Sequence, residues 1–115
     1  LLEQNVNLCF STDAPATSWA IPSDPFSCIK GAVTRKAYDG TACVANQIID
    51  METAIILYTK KSAQMAGFKN LGQLKTGYKA DFITLDRDIF AIAPEDVDKV
   101  QVDKTYINGE CVFTK

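Results

Sequence analysis

The sequence contains no histidine in its 115 residues. That absence excludes, within this chain, Ser-His-Asp and Cys-His nucleophilic arrangements and any mixed Cys/His zinc site. No two cysteines stand as C-x-x-C; they occur singly at Cys9, Cys28, Cys43 and Cys111. Free thiols fit that spacing better than a disulfide framework. Cys9 and Cys111 lie in apolar, strand-like runs and are expected to be small buried hydrophobes. No apolar run approaches the ~20 residues of a membrane span, and no secretory pattern opens the chain. Twelve basic and 14 acidic residues leave a net charge of −2. They are mixed along the chain, so neither nucleic acid nor a membrane surface is indicated as partner. G-x-G-x-x-G, P-loop and G-x-S-x-G patterns are missing, as are internal repeats and low-complexity segments.

What remains is ordinary globular material, 47% hydrophobic and 23% charged, long enough for one domain with a modest core. The first residue is Leu1 rather than Met, and residues 1–5 read as the end of a helix running into a strand. The chain is therefore expected to be a piece of something longer.

Residues 5–10 turn from alternating to continuously apolar, as a strand buried in an α/β core does. Pro15 stops it, and a loop carrying Trp19 follows. From Pro25 the spacing of Phe26, Ile29, Val33 and Ala37 predicts one helical face, with Asp24 as N-cap, until Asp39 and Gly40 break the helix. Asp50 is placed to cap a second helix, with Glu52 in its first turn and Ala54, Ile55, Leu57 and Tyr58 on its buried side. Thr59 is read as the restart of a short third helix over 60–66, closed by Gly67. After Gly67 helical periodicity disappears. Gly72 and Gly77 should supply positive φ in a hairpin that feeds a strand over 81–85. Residues 94–98 look like one helical turn. Asn108-Gly109 between β-rich runs is a hairpin signal. This second part is too small an all-β unit to stand alone.

Ser11, Thr12, Asp13, Ala14 and Pro15 form the sharpest candidate for chemistry. An aspartate just past a buried strand can bind a metal or accept a proton from water. It can equally be a turn-forming residue beside proline. Arg35 has the geometry to grip a carboxylate, or to anchor a helix. Trp19 can wall a pocket or simply pack. Asp81 reads as a backbone-bonding turn residue, and Asp86, Asp88, Glu95, Asp96 and Asp98 as solvated loop charge lacking an EF-hand's glycine and terminal glutamate.

Taken in order, the Ser11–Pro15 segment, Asp24-Pro25, Ala32 to Arg35, Glu52 to Ala54, Tyr58-Thr59, the G-x-L-x-x-G-x-x-A-D-F run from Gly72 to Phe82, and Thr105 with Gly109 resemble the C-terminal part of amidohydrolase family 3, the YtcJ-like metal-dependent hydrolases. The resemblance spans nearly the whole chain. It implies an α/β plus β fold: the last strand and closing helices of a TIM-type (β/α) barrel over 1–66, then part of a small composite β-sandwich over 67–115. It implies hydrolysis of a non-peptide C–N bond, amide or cyclic amide, by metal-activated water, with Asp13 as metal-site and proton-transfer carboxylate. Thr12 stands where the family usually has serine. Trp19 and Arg35 become candidate substrate contacts. The metal, zinc by preference, would take its other ligands from residues upstream of this chain. Partners implied are a small-molecule substrate, the N-terminal remainder of the same polypeptide and, compatibly, further copies in a homo-oligomer. The expected location is cytoplasmic, and the isolated chain is expected to be inactive. The competing reading is a non-catalytic β-module that binds or regulates a partner, since some members of the branch carry exoenzyme-regulator labels.

Overall fold

The computed structural model describes residues 2–4, 6–12, 23–37 and 39–115. A short 3-10 helix forms at Leu2–Gln4, and the described backbone over 6–12 is irregular. Helix α1 (Phe26–Thr34), a 3-10 turn (Ala45–Gln47), helix α2 (Met51–Ile56), a π turn (Leu57–Lys61) and helix α3 (Ser62–Met65) follow. Strand β1 (Phe82–Leu85), a 3-10 helix (Pro94–Lys99), β2 (Val102–Ile107) and β3 (Glu110–Thr114) complete the order.

Helix α1 begins where the sequence places it. Asp24 accepts from the Phe26 amide at 2.8 Å, satisfying one of the first-turn donors that an α-helix cannot bond internally. Phe26, Ile29 and Val33 are buried on one face. The helix ends earlier than its periodicity suggests. Arg35 turns left-handed (φ 52°) and its N–H returns to the Gly31 carbonyl. The chain then pairs back on itself through Lys36 and Ala42 around a turn at Gly40, so Ala37 is exposed rather than on a helix face. Asp50 caps α2 as expected, accepting from the Thr53 amide at 2.7 Å and the Thr53 hydroxyl at 2.9 Å.

The third helix is present as Ser62–Met65 but is not separate: from Met51 to Met65 the backbone stays helical and passes through one wide turn at Leu57–Lys61. The restart read at Thr59 is thus a slip of helical register rather than a stop. Gly67 (φ 73°) ends the run, with its N–H on Gln64 and that of Phe68 on Ala63, the Schellman pattern that uses up last-turn carbonyls.

Residues 72–81 form turns and irregular backbone rather than a hairpin arm. Tyr78 bonds back to Lys75, and Lys79 to Asn70. Both glycines do have positive φ, 83° at Gly72 and 85° at Gly77. The β unit is a three-stranded antiparallel sheet in the order β1-β2-β3. Phe82 faces Tyr106 in register, their rings stacked at 4.5 Å, the kind of cross-strand pair that stabilises a sheet. Asn108 (φ 52°) and Gly109 (φ 82°) make the β2–β3 turn, both central residues left-handed as a type I′ turn requires. Asp81 fastens the turn, accepting from the Asn108 amide at 2.7 Å.

Val6–Phe10 is not a strand: no ladder bond is formed by it among the described residues, and the Phe10 amide goes to the Leu57 carbonyl at 3.1 Å instead. A strand exists only through its neighbours, and the three strands among the described residues pair with one another. Cys111 is exposed and Cys9 half-buried, so neither is the buried hydrophobe expected; all four cysteines are free thiols. One core joins both parts of the chain: Phe26, Ile29, Val33 and Ala54 pack with Ile89, Val97 and Val100. The Lys30–Asp98 and Lys36–Glu95 pairs, 2.7 and 3.1 Å, flank this seam at the surface. They are partly or well exposed, and such pairs contribute little.

Two predictions follow from local geometry. A Cβ on Gly72 would lie 2.6 Å from Ala63 Cβ and 2.8 Å from the Thr59 carbonyl, whereas one on Gly77 meets nothing within 4 Å. Gly77→Ala should cost about 1–2 kcal/mol from left-handed strain alone, and Gly72→Ala about 1–3 kcal/mol more from overpacking; equal losses in denaturant melts would contradict the contact. The second concerns Asp86, whose carboxyl is held down at about 2 by the Arg87 guanidinium first and the Gln101 amide second. A depressed carboxyl adds stability above its unfolded value, near 3.8, and loses that contribution as pH falls towards 2. Melting temperature should therefore drop more steeply between pH 4 and 2 in the parent than in Asp86→Asn, and parallel slopes would dismiss the link.

Candidate functional site

Of the three residues singled out from sequence, Asp13 and Trp19 lie outside the described residues. Arg35 is described, at the C-terminal end of α1. Its Nε donates to the Cys43 carbonyl at 3.0 Å, and its own carbonyl accepts from the Cys43 amide at 2.7 Å. The guanidinium thus ties the end of α1 to the loop that folds back beneath it. Arg35 also lines a cleft of about 780 Å³, together with Phe10, Ser11, Cys28, Gly31 and Tyr58, among others. The cleft opens where the 6–12 segment meets one side of α1 and the start of the π turn. That is the end of the segment leading to Asp13.

Tyr58 enters this cleft from the π turn. Its ring meets Phe10 edge-on, centroids 5.6 Å apart, the favoured geometry for an aromatic pair. Its hydroxyl oxygen is buried and has no hydrogen-bond partner among the described residues. Burial first, then the neighbouring Cys28 thiol and the Asp24 carboxylate, push its ionisation well above the usual phenol range. The phenol is therefore a neutral donor at every physiological pH. Sequence reasoning placed Tyr58 on the buried side of a helix and stopped there. Its hydroxyl makes it a polar group inside that face, and no residue pattern distinguishes the two.

The residues present do not make a metal centre by themselves. The chain has no histidine, and among the described residues no three His, Cys, Asp or Glu side chains come together in a way that could hold an ion. The acidic residues of the 86–98 region are spread over ion pairs and turns: Asp86 with Arg87, Asp96 with Lys99, Asp98 with Lys30. Among the described residues, no helix is long and apolar enough to cross a membrane.

The arrangement has clear relatives. The amidohydrolase family model matches residues 1–113. YtcJ of Bacillus subtilis (strain 168), an amidohydrolase by name, is 34% identical over 119 aligned residues, covering 100% of this chain and 22% of that protein. The N-substituted formamide deformylase of Arthrobacter pascens is 24% identical over 110 residues, covering 95% of this chain and 20% of that protein. In structure, the chain is similar to the crystal structure of enamidase, a member of the amidohydrolase superfamily, with a TM-score of 0.63 and 24% identity over 90% of this chain and 25% of that one. The chain belongs to the amidohydrolase family. It spans roughly a fifth to a quarter of the length of these relatives.

The orphaned phenol supplies a test. A buried hydroxyl without a partner carries a desolvation cost of about 1–3 kcal/mol. Tyr58→Phe should therefore leave the chain as stable or stabilise it by about 1 kcal/mol, read from chemical denaturation. A clear loss of stability would mean that the hydroxyl has a bonding partner after all.

Proposed function

We propose that this chain is the C-terminal region of a metal-dependent amidohydrolase that cleaves a non-peptide C–N bond, an amide or cyclic amide, with water. The observation that carries the reading is the family match over residues 1–113; the names of the relatives, amidohydrolase and formamide deformylase, agree with it. In this reading residues 1–66 belong to the end of the catalytic barrel, and residues 67–115 supply strands to a small composite β-sandwich. The uncovered hydrophobic residues of the sheet, Ile83, Ile107 and Phe113 among them, support a sheet that is completed by other strands.

Asp13 is the chain's contribution to the chemistry. A carboxylate at that position accepts the proton of the attacking water and delivers it to the leaving nitrogen, which must depart as a neutral amine. Arg35 and Trp19 are candidate walls of the substrate site. The divalent metal expected for the family, zinc by preference, would supply the activated water. Its ligands beyond Asp13 would have to come from residues outside this chain, because a catalytic zinc needs about three protein ligands. The segment alone is accordingly inactive, and its necessary partner is the rest of the polypeptide. A small molecule is the substrate, and the cytoplasm is the proposed location.

The test uses the full-length enzyme and a chromogenic anilide, 4-nitroacetanilide, whose hydrolysis releases 4-nitroaniline. Asp13→Asn should lower kcat by about 10²–10⁴-fold, the usual weight of a positioned acid–base group, while the melting temperature stays near that of the parent. Undiminished turnover would remove Asp13 from the mechanism.

A further inference from the structure

An α-helix uses each carbonyl for the N–H four residues on, so a bond from a distant backbone amide to a helix carbonyl is uncommon. The π turn at Leu57–Lys61 receives one. The Leu57 carbonyl accepts from the Phe10 amide at 3.1 Å, a residue 47 positions earlier. The Ser62 hydroxyl lies 2.8 Å from the same carbonyl and 3.0 Å from the Phe10 carbonyl. Its single proton is shared between the two. Both backbone groups of Phe10 are thus held, one by the Leu57 carbonyl at the start of the wide turn and one by the Ser62 hydroxyl just after it. The Phe10 ring is held too, edge-on to Tyr58, the second residue of that turn.

The turn is itself wedged from behind. Gly72 approaches so closely that an added Cβ would fall 2.8 Å from the Thr59 carbonyl and 3.1 Å from Lys60 Cα.

We propose that this π turn is a clamp that fixes the backbone at Phe10, three residues before Asp13, and that Ser62 is a positioning residue for the reaction. The inference rests on the reading of Asp13 as the proton-transfer carboxylate. A side chain that takes a proton from water must sit within a few tenths of an ångström of its working place, and an error near 1 Å costs about 10²-fold in rate. The 6–12 segment has no ladder bonds among the described residues to fix its position along its own direction. The paired bonds at Phe10 do so, and they act on the final stretch before the carboxylate. π turns recur at functional sites.

The experiment is done in the full-length enzyme with three variants. In Ser62→Ala, amide hydrogen exchange in the segment containing Phe10 should rise about tenfold, as loss of one bond predicts. On 4-nitroacetanilide, kcat should fall about 10–100-fold with KM unchanged, and the melting temperature should move little. Ser62→Thr, which keeps the hydroxyl, should restore both exchange and kcat. Parent-like exchange in Ser62→Ala overturns the clamp. A fall in kcat that follows a fall in melting temperature, and that threonine does not reverse, overturns the positioning role. Full turnover in Asp13→Asn overturns the reading of Asp13 and with it the route by which Ser62 acts, leaving the exchange result to judge the clamp separately.

Discussion

The packing of α1 on the 3-10 helix at Pro94–Lys99 is the constraint on which the rest depends. Phe26, Ile29 and Val33 present one apolar stripe, and Val97, fully buried, and Val100 fill it from the other part of the chain. Burying side chains of this size contributes about 1.5–3 kcal/mol each, far more than the exposed ion pairs beside them. Because the two contacting elements lie more than 60 residues apart, their packing draws the three-stranded sheet and the α1–α3 layer onto one core. The cleft at the end of the 6–12 segment is lined by α1 and also by Glu95 and Asp98 of that 3-10 helix. Its shape is therefore only as fixed as that seam.

The second level of organisation is backbone economy. Where a helix, turn or loop leaves a donor or acceptor unused, a neighbour takes it: Asp24 and Asp50 at helix starts, Gly67 and Phe68 at a helix end, Asp81 at the hairpin. Buried backbone groups seldom go unpaired. Against that background two departures stand out among the described residues: the buried hydroxyls of Tyr58 and Thr84 have no partner. The first lines the cleft beside Phe10, and the second sits in β1.

Local chemistry was legible in the sequence. The caps at Asp24 and Asp50, the stop at Gly67, the bonding role of Asp81 and the Asn108-Gly109 turn are decided within a few residues, and they stand where pattern places them. Non-local choices were not. Helix α1 stops at Thr34 because the chain after Arg35 doubles back to Ala42, and Ala37's helical spacing carries no trace of that. Thr59 was read as the restart of a helix, but a restart and a slip of register within one continuous helix look alike in sequence. Residues 6–10 have the composition of a strand and no partner among the described residues, since composition specifies burial and not the neighbour. Of the candidate site, Arg35 alone falls in the described residues, with its Nε committed to Cys43.

The Asn108-Gly109 turn sets a chemical lifetime. Asn-Gly pairs age when the glycine nitrogen attacks the asparagine side-chain carbonyl, releasing ammonia through a cyclic imide. Here that nitrogen donates to the Ala80 carbonyl at 2.9 Å, and the Asn108 amide donates to Asp81. As long as β1 and β2 stay paired, the attacking nitrogen is occupied and the turn is held in one conformation. Each opening of the hairpin frees it. The ageing rate at this one peptide bond is therefore a clock for how often the sheet opens. An isoaspartate formed there would insert an extra backbone carbon into a two-residue turn that has no room for it.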